Sequence, residues 1–456
     1  MTVSCYAGKQ IVVVGAGKSG IALCRFLASR AGRLVLSDRR PATEIPGLDV
    51  LDGLPIHYDF GGHTCELFTS ADLVVLSPGV PETIDPVQAA RAVGVAVIGE
   101  IELAARELTA PVIGITGTNG KSTTTEVLGA ILQAWGKKTF VGGNLGQPLT
   151  EAAQRSDWDW IVVELSSFQL ETIDTLHPRY GLLLNISADH LDRYPDMASY
   201  AAAKRRLFEN MIDTDIAILN ADDNDVLLAA DGIAPEVVLF SCRAPVAEGI
   251  GFDGIDIVWE RRGVLVRFPV AELKIKGLHN IANVMAALVA PLIEGCPPQI
   301  AWRAACDFTG LPHRMALVRE LDGVCWYDDS KGTNIGSVVM SLAGLNAPVT
   351  LIAGGKDKGG DFGILAETVR SKVAQLILIG EATERMAREL DGCTTIHRAD
   401  SLESAVILAQ QLTPAGGAVL LSPGCSSFDM FKSYIERGER FSQLVRQLRG
   451  NGEVTA

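Results

Sequence analysis

Residues 111–135 read PVIGITGTNGKSTTTEVLGAILQAW, and no other stretch of the 456-residue chain restricts the fold as tightly. Its apolar start predicts a strand buried on both faces. The strand runs into Gly117-Thr118-Asn119-Gly120, and a long helix is expected from about Lys121. Such a turn aims backbone N–H groups and the positive end of a helix dipole at one point, which suits phosphate. Lys121 adds a positive charge, and Ser122, with Thr123 beside it, is the natural hydroxyl ligand for the magnesium that accompanies a nucleoside triphosphate. The strict phosphate-loop pattern has a glycine six residues before Lys121, where this chain has Ile115 and places glycines at 114 and 117 instead.

A second glycine turn lies near the N-terminus. From Gln10 the chain reads IVVVGAGKSGIALCRFLASRAGRLVLSDRR, a strand, a Gly15-x-Gly17-x-x-Gly20 turn, a helical period and a second strand ending at Asp38. Alone, this is the grammar of a dinucleotide fold with Asp38 at the ribose-binding position. A nucleoside diphosphate sugar can use the same device, so the motif leaves its ligand open.

The rest of the chain repeats the strand-then-turn grammar. Strands are expected at 73–79 and 95–99, in WIVVELS, YGLLLNIS, IAILN and VVLFS, and as a hairpin across the Arg-Arg-Gly turn of IDIVWERRGVLVRF; a helix is expected over 279–293. Beyond residue 310, CWYDDS, VTLIAGG, LILIG and AVLLSPG read as another doubly wound set. The expectation is an α/β protein of three domains, each on a mostly parallel sheet: an N-terminal Rossmann-like domain (1–100), a central phosphate-loop ATPase-like domain (101–310) and a C-terminal Rossmann-like domain (311–456).

Bulk properties narrow the partners. A formal charge of −14 opposes nucleic-acid or anionic-membrane binding by the surface as a whole, so any phosphate site must be local. No apolar run approaches the roughly 20 residues that span a bilayer, and no leader segment is visible, so a cytoplasmic protein without membrane insertion is expected. The nine cysteines lack metal-like spacing and read as reduced thiols.

Three further residues invite attention. Glu164 ends the strand of VVELSS, where an acid near phosphates can hold magnesium. His190 in ISADHLDRYP follows another strand, although a lone histidine there is more often structural. Lys204 sits beside Arg205 and Arg206 on an Ala-rich helix, and spacing alone does not separate it from them.

GITGTNGKST, GGNLG (142–146), VVELSSFQLE, NISADHLDRY, AAKRRLFEN, GLHNIANVMAAL, GLPHRM and DDSKGTN (328–334) follow in one order along nearly the whole chain. In that series the chain resembles the Mur ligases of peptidoglycan assembly. DDSKGTN and LLSPGCSSFDMFKSYIERG (420–438) look like the segments of the D-glutamate-adding branch, whereas the DDYGHHP-like and DNPR-like segments of the L-alanine-adding and diamino-acid-adding branches are absent.

The resemblance implies an ATP- and Mg2+-dependent amide ligase, expected as a monomer, that serves cell-wall synthesis. Its small-molecule partners would be UDP-N-acetylmuramoyl-L-alanine and D-glutamate. By the same resemblance, Lys18, Ser19, Asp38, Arg39, Ser77 and Gly79, with Asn144, would hold the uridine substrate. The nucleotide would lie on Gly117, Thr118, Asn119, Gly120, Lys121, Ser122 and Thr123, with Asn280 and Asn283 toward adenine, Arg314 and Lys331 toward phosphates and Asp329 toward ribose. His190 and Lys204 would sit near the metals with Ser122 and Glu164; Lys204 matches a lysine that the family carbamylates. Thr333, Lys358, Ser427 and Tyr434 would form the D-glutamate pocket. A nicotinamide oxidoreductase would leave the GKST loop without a role. A folylpolyglutamate synthase usually lacks the leading domain, and a nucleotide-switched binding protein would hydrolyse nucleotide without an amine acceptor.

Overall fold

The computed structural model describes residues 6–190, 193–345 and 348–450. Three sheets follow one another along the chain. The first comprises β1 (Gln10–Val14), β2 (Arg33–Asp38), β3 (Ile56–Phe60), β4 (Leu73–Leu76) and β5 (Ala96–Gly99), all parallel in the order β3-β2-β1-β4-β5. The second holds β6 (Val112–Thr116), β7 (Thr139–Gly143), β8 (Trp160–Glu164), β9 (Tyr180–Leu183), β10 (Ile216–Asn220), β11 (Glu236–Ser241), β12 (Gly249–Phe252), β13 (Asp256–Arg261) and β14 (Val264–Pro269). It is parallel through β12 and ends in the expected hairpin, whose turn residues Arg262 and Gly263 both take positive φ. The third contains β15 (Ala316–Leu321), β16 (Val324–Asp328), β17 (Val349–Gly354), β18 (Val373–Ile379), β19 (Thr395–Arg398) and β20 (Ala418–Leu421), with only β15 antiparallel to its neighbour.

Helices cover both faces, which is why the central strands are apolar along their whole length: every residue of β4, β6, β8, β9, β17 and β20 is buried. The helices that shape the cleft are α1 (Lys18–Leu27), α2 (Lys121–Ala134), α3 (Met197–Arg205), α4 (Leu278–Ile293), α5 (Ile335–Ala343) and α6 (Tyr434–Gln447). The helix expected over 279–293 is thus one residue longer at its start.

The helix Glu100–Ala105, which leads out of the first sheet, is fastened to the second unit by buried carboxylates. Glu100 Oε1 accepts hydrogen bonds from the Thr150 amide (2.7 Å) and hydroxyl (2.5 Å). Glu102, fully buried, accepts from the amides of Asp174, Thr175 and Leu176, the Thr175 hydroxyl and Arg106. Arg25 bridges to Glu151 at 3.1 Å, and the Lys18 amine donates to the Gly146 carbonyl. The third unit meets the second through a different kind of contact, a handful of side-chain pairs around the phosphate loop.

Candidate active site

The phosphate loop joins β6 to α2 as the sequence predicts. Gly120 takes φ +86°, and a Cβ there would lie 2.2 Å from Asn283 Oδ1, so the side chain of α4 closes directly over the turn. Asn185 clamps the loop from the end of β9, accepting the Asn119 N–H (2.8 Å) and donating to the Asn119 carbonyl (2.9 Å). Thr118 donates to the Ser187 carbonyl at 3.2 Å and contacts the Tyr200 hydroxyl.

The Gly117 carbonyl accepts from two lysine amines, Lys121 and Lys204, each at 2.8 Å. Lys204 is 1 % exposed and its Nζ also stands 4.4 Å from the Tyr200 ring centroid, whereas Arg205 and Arg206 turn away to cap carbonyls at Ala229, Asp231 and Ile173. Burial separates the lysine from neighbours that spacing could not distinguish. Burial and the nearby Lys121 charge hold the Lys204 amine well below the usual lysine range, and burial likewise lowers Lys121 against the pull of Glu164 and Asp189.

Glu164 ends β8 at 2 % exposure. Its Oε1 accepts from Asn144 Nδ2 at 2.7 Å, and its Oε2 is buried with no hydrogen-bond partner. A buried, half-satisfied carboxylate across from a phosphate loop fits a cation. Among the described residues no group of three or more His, Cys, Asp or Glu side chains can hold a metal by itself. Glu164 and the Ser122 hydroxyl, completed by ligand oxygens, are the residues that could hold magnesium here. His190 takes φ +57°, packs edge-on against Phe168 with ring centroids 4.8 Å apart, and lies beside Asp189.

Two residues that sequence reasoning passed over tie the third unit to this loop. Asp189 accepts from Lys358 Nζ (3.2 Å) and from Asn334 Nδ2 (3.1 Å). Burial works against ionisation of Asp189, yet Lys358, His190 and the Asn334 bond hold its carboxyl below the usual range. Asn334 caps α5 in a reciprocal capping box with Ser337 and exchanges amide hydrogen bonds with Asn119 at 3.1 and 3.4 Å. Arg314 adds a further tie, its Nη2 donating to Ser122 Oγ at 2.9 Å.

A cavity of about 470 Å³ opens beside the loop, and Asn119, Gly120, Thr123, Asn280, Asn283, Arg314 and Asp329 line it together with apolar walls such as Phe240 and Ile275. Burial raises Asp329 to about 6 although the Ser341 and Ser422 hydroxyls donate to it at 2.7 Å. Lys331 is placed apart from this cavity's lining, 4.0 Å from the Tyr434 ring centroid, and burial beside Arg314 lowers its amine to about 8.

A larger cavity, about 730 Å³, spans the edge of the first sheet and the 143–148 segment of the second unit. Lys18, Ser19, Asp38, Arg39, Ser77, Gly79 and Asn144 all line it. Both oxygens of Asp38 are engaged, by the Ala16 N–H (2.7 Å) and by Arg40, so the acid also shapes the glycine turn. Gly20 serves packing: a Cβ there would meet the Gly15 carbonyl at 1.8 Å. Arg40 and His63 join this lining without having been singled out from sequence.

Thr333 and Lys358 line a small hollow with Asp189 and His190. Ser427 and Tyr434 are not in that lining: Ser427 is buried, its carbonyl accepting from Phe431 at 2.8 Å, and Tyr434 heads α6 beneath Lys331.

Comparison with known proteins follows this layout. The Mur ligase MurD-like N-terminal domain matches residues 9–99, the Mur ligase middle domain 115–291 and the Mur ligase glutamate ligase domain 313–425. The chain is 59% identical over 447 residues to a UDP-N-acetylmuramoylalanine--D-glutamate ligase from Syntrophotalea carbinolica, covering 98% of this chain and 99% of that one. It is 51% identical over 442 residues to the enzyme of the same name from Geotalea uraniireducens, covering 96% and 98%. A solved structure of UDP-N-acetylmuramate-alanine ligase from Thermotoga maritima shares the fold, with TM-score 0.62 and 18% identity over 96% of this chain and 99% of that one.

Proposed function

The chain belongs to the Mur ligase family, and on that premise we propose how its cleft performs the ligation. The protein joins D-glutamate to UDP-N-acetylmuramoyl-L-alanine in an ATP-dependent step of peptidoglycan precursor synthesis. The observation that carries the assignment of roles is the half-satisfied Glu164 carboxylate facing a loop on whose Gly117 carbonyl Lys121 and Lys204 converge.

We assign residues 1–100 to the uridine substrate, 101–310 to ATP and 311–456 to D-glutamate. The uridine end fills the larger cavity, with Lys18, Ser19, Arg39 and the Ser77–Gly79 turn around its phosphates, and Asn144 stands between that cavity and Glu164. ATP lies on 117–123 with its base toward Asn280 and Asn283, its ribose toward Asp329 and its phosphates toward Arg314 and Lys331. Ser122 and Glu164, with His190 and a carbamylated Lys204 beside them, would hold magnesium, which would supply charge neutralisation on the phosphate oxygens. Burial that holds the Lys204 amine well below the usual lysine range eases the loss of its proton, which favours attack on carbon dioxide and supports that modification.

The terminal alanine carboxylate attacks the γ-phosphorus, the bond to the bridging oxygen breaks, and ADP leaves. Lys121 leaves the loop carbonyls for the phosphate as charge builds there. The neutral amine of D-glutamate, held by Thr333 and Lys358 with Ser427 and Tyr434 nearby, then attacks the acyl carbon. The tetrahedral oxyanion collapses with loss of phosphate and of the amine proton, and the amide remains. Asn334, Asp189 and Arg314 hold the third unit over the loop and exclude water while the acyl phosphate exists.

We propose a cytoplasmic monomer; among the described residues no helix is long and apolar enough to cross a membrane. Phosphate release coupled to UDP-N-acetylmuramoyl-L-alanine, compared across D-glutamate, L-glutamate and D-aspartate, tests the reading. Turnover confined to D-glutamate is expected, and amine-independent ATP hydrolysis would refute it.

A further inference from the structure

We infer that Arg385 is a positioning residue for D-glutamate, acting by neutralising and pinning Asp357 beside Lys358; the inference rests on the pocket assignment above. Asp357 and Lys358 are neighbours in the loop after β17, and both line the hollow that holds Thr333. A carboxylate in the wall of a pocket for a dicarboxylate repels the ligand unless a cation cancels it. Arg385 does this from the helix Thr383–Glu389, its Nη1 donating to both Asp357 oxygens, at 2.8 and 3.0 Å, in a bifurcated contact.

The same guanidinium fixes the far end of the loop. Its Nη2 donates to the Gly360 carbonyl at 2.5 Å, and its plane stands 5.0 Å from the Phe362 ring centroid. Its Nε donates to Glu389 Oε1 at 2.7 Å, and Glu389 Oε2 accepts the Phe362 N–H at 2.9 Å. Asp357 in turn accepts the Gly359 N–H at 2.8 Å. Residues 357–362, which carry Lys358, are therefore held at both ends by one side chain. Two glycines, Gly359 and Gly360, leave that loop no backbone stiffness of its own. Loss of the bifurcated contact frees Asp357 both to repel the incoming acid and to compete for the Lys358 amine.

Steady-state kinetics on the full chain separate this role from a merely structural one. Arg385→Ala is expected to raise KM for D-glutamate about tenfold with KM for ATP little changed, the loss of one partly exposed charge pair and its loop contacts. Adding Asp357→Asn should bring KM for D-glutamate back to within about threefold of wild type, because the repelling charge is gone. In the single variant the defect should shrink in high salt, which screens that charge. Arg385→Lys, which keeps the charge and most of the packing, should show an intermediate KM and guards against a folding failure of the alanine variant. An unchanged D-glutamate KM in Arg385→Ala, or a defect that neither Asp357→Asn nor salt relieves, overturns the inference. Lys358→Ala run alongside reports on the pocket itself: if it leaves the D-glutamate KM unaltered, the pocket assignment has failed, whatever Arg385 does.

Discussion

Asn119 in the phosphate loop and Asn334 at the N-cap of α5 exchange amide hydrogen bonds across the boundary between the second and third units, 3.1 Å in one direction and 3.4 Å in the other. Asn334 also donates to Asp189, which holds Lys358. Occupancy of the nucleotide loop is thereby linked to the side chain proposed to receive the amino acid. Linkage of this kind is reciprocal, so nucleotide and amino acid should each tighten the other.

Asn334→Ser isolates the link. Serine caps a helix as well as asparagine does, so the melting temperature should move by no more than about 2 °C. Without the amide, kcat/KM for D-glutamate should fall about tenfold, the worth of one to two hydrogen bonds. Unchanged kinetics in a folded variant would show that the paired amides are incidental.

Lys121→Ala should abolish ADP release, since no other group on the loop supplies a charge to the transferred phosphoryl. Lys358→Ala should leave ATP saturation near normal and weaken saturation by D-glutamate. Near-normal turnover in the first variant would remove the phosphate-loop assignment, and the second tests only the pocket.

Glu164→Gln keeps an acceptor for Asn144 and removes the charge of the unpartnered oxygen. The magnesium concentration for half-maximal activity should rise roughly tenfold or more, an effect that even outer-shell partners of a metal can reach. An unshifted magnesium dependence would mean that the orphaned oxygen faces something else.

The Lys331 amine, lowered to about 8 by burial and by Arg314, loses its charge as pH rises through that value in the nucleotide-free protein. ATP binding should therefore weaken between pH 7 and pH 9 by a few-fold, about the worth of one screened charge contact. Lys331→Arg stays protonated and should flatten that limb of the profile, read by nucleotide titration at each pH.

Glu102 gives a stability test remote from the cleft. Glu102→Ala leaves three backbone N–H groups without their acceptor and should lower the unfolding free energy by about 3 kcal/mol, measured by urea denaturation. Although burial alone would raise its pKa, these hydrogen bonds hold the folded carboxyl below its ordinary value of 4.5. Its contribution is thus complete above the unfolded value and is lost as pH falls through the folded one, so the gap between variant and wild type should close in acid.

What could be read in the sequence follows from burial. Strands covered on both faces announce themselves as unbroken apolar runs, and β6, β8, β9 and β17 lie where those runs predict. The strands that escaped are chiefly sheet edges: β3 (IHYDF), β7, β15 and β19, half-exposed or broken by glycine and charge. In the cleft, glycine turns and strand-end acids were legible because their chemistry is local. Asp189 and Asn334 were not, because each acts on a partner more than 140 positions away. Their nearest signal is position: each lies within a quoted motif, next to a residue that was singled out. Apart from the resemblance, Lys204 stood out from Arg205 and Arg206 only once its amine was seen to lie over the Tyr200 ring of its own helix and on the Gly117 carbonyl.

The carboxylates that fasten the helix leading out of the first sheet to the second unit carry a consequence for which donors the enzyme accepts. On the roles proposed above, that joint would fix the span from the cavity for the sugar nucleotide to the Glu164 edge. The pair works as a fixed gauge: a donor one residue longer would thrust its terminal acid past the reactive phosphorus, and one lacking the alanine would stop short of it. Selection by length would then be set by the first two units alone, without the third.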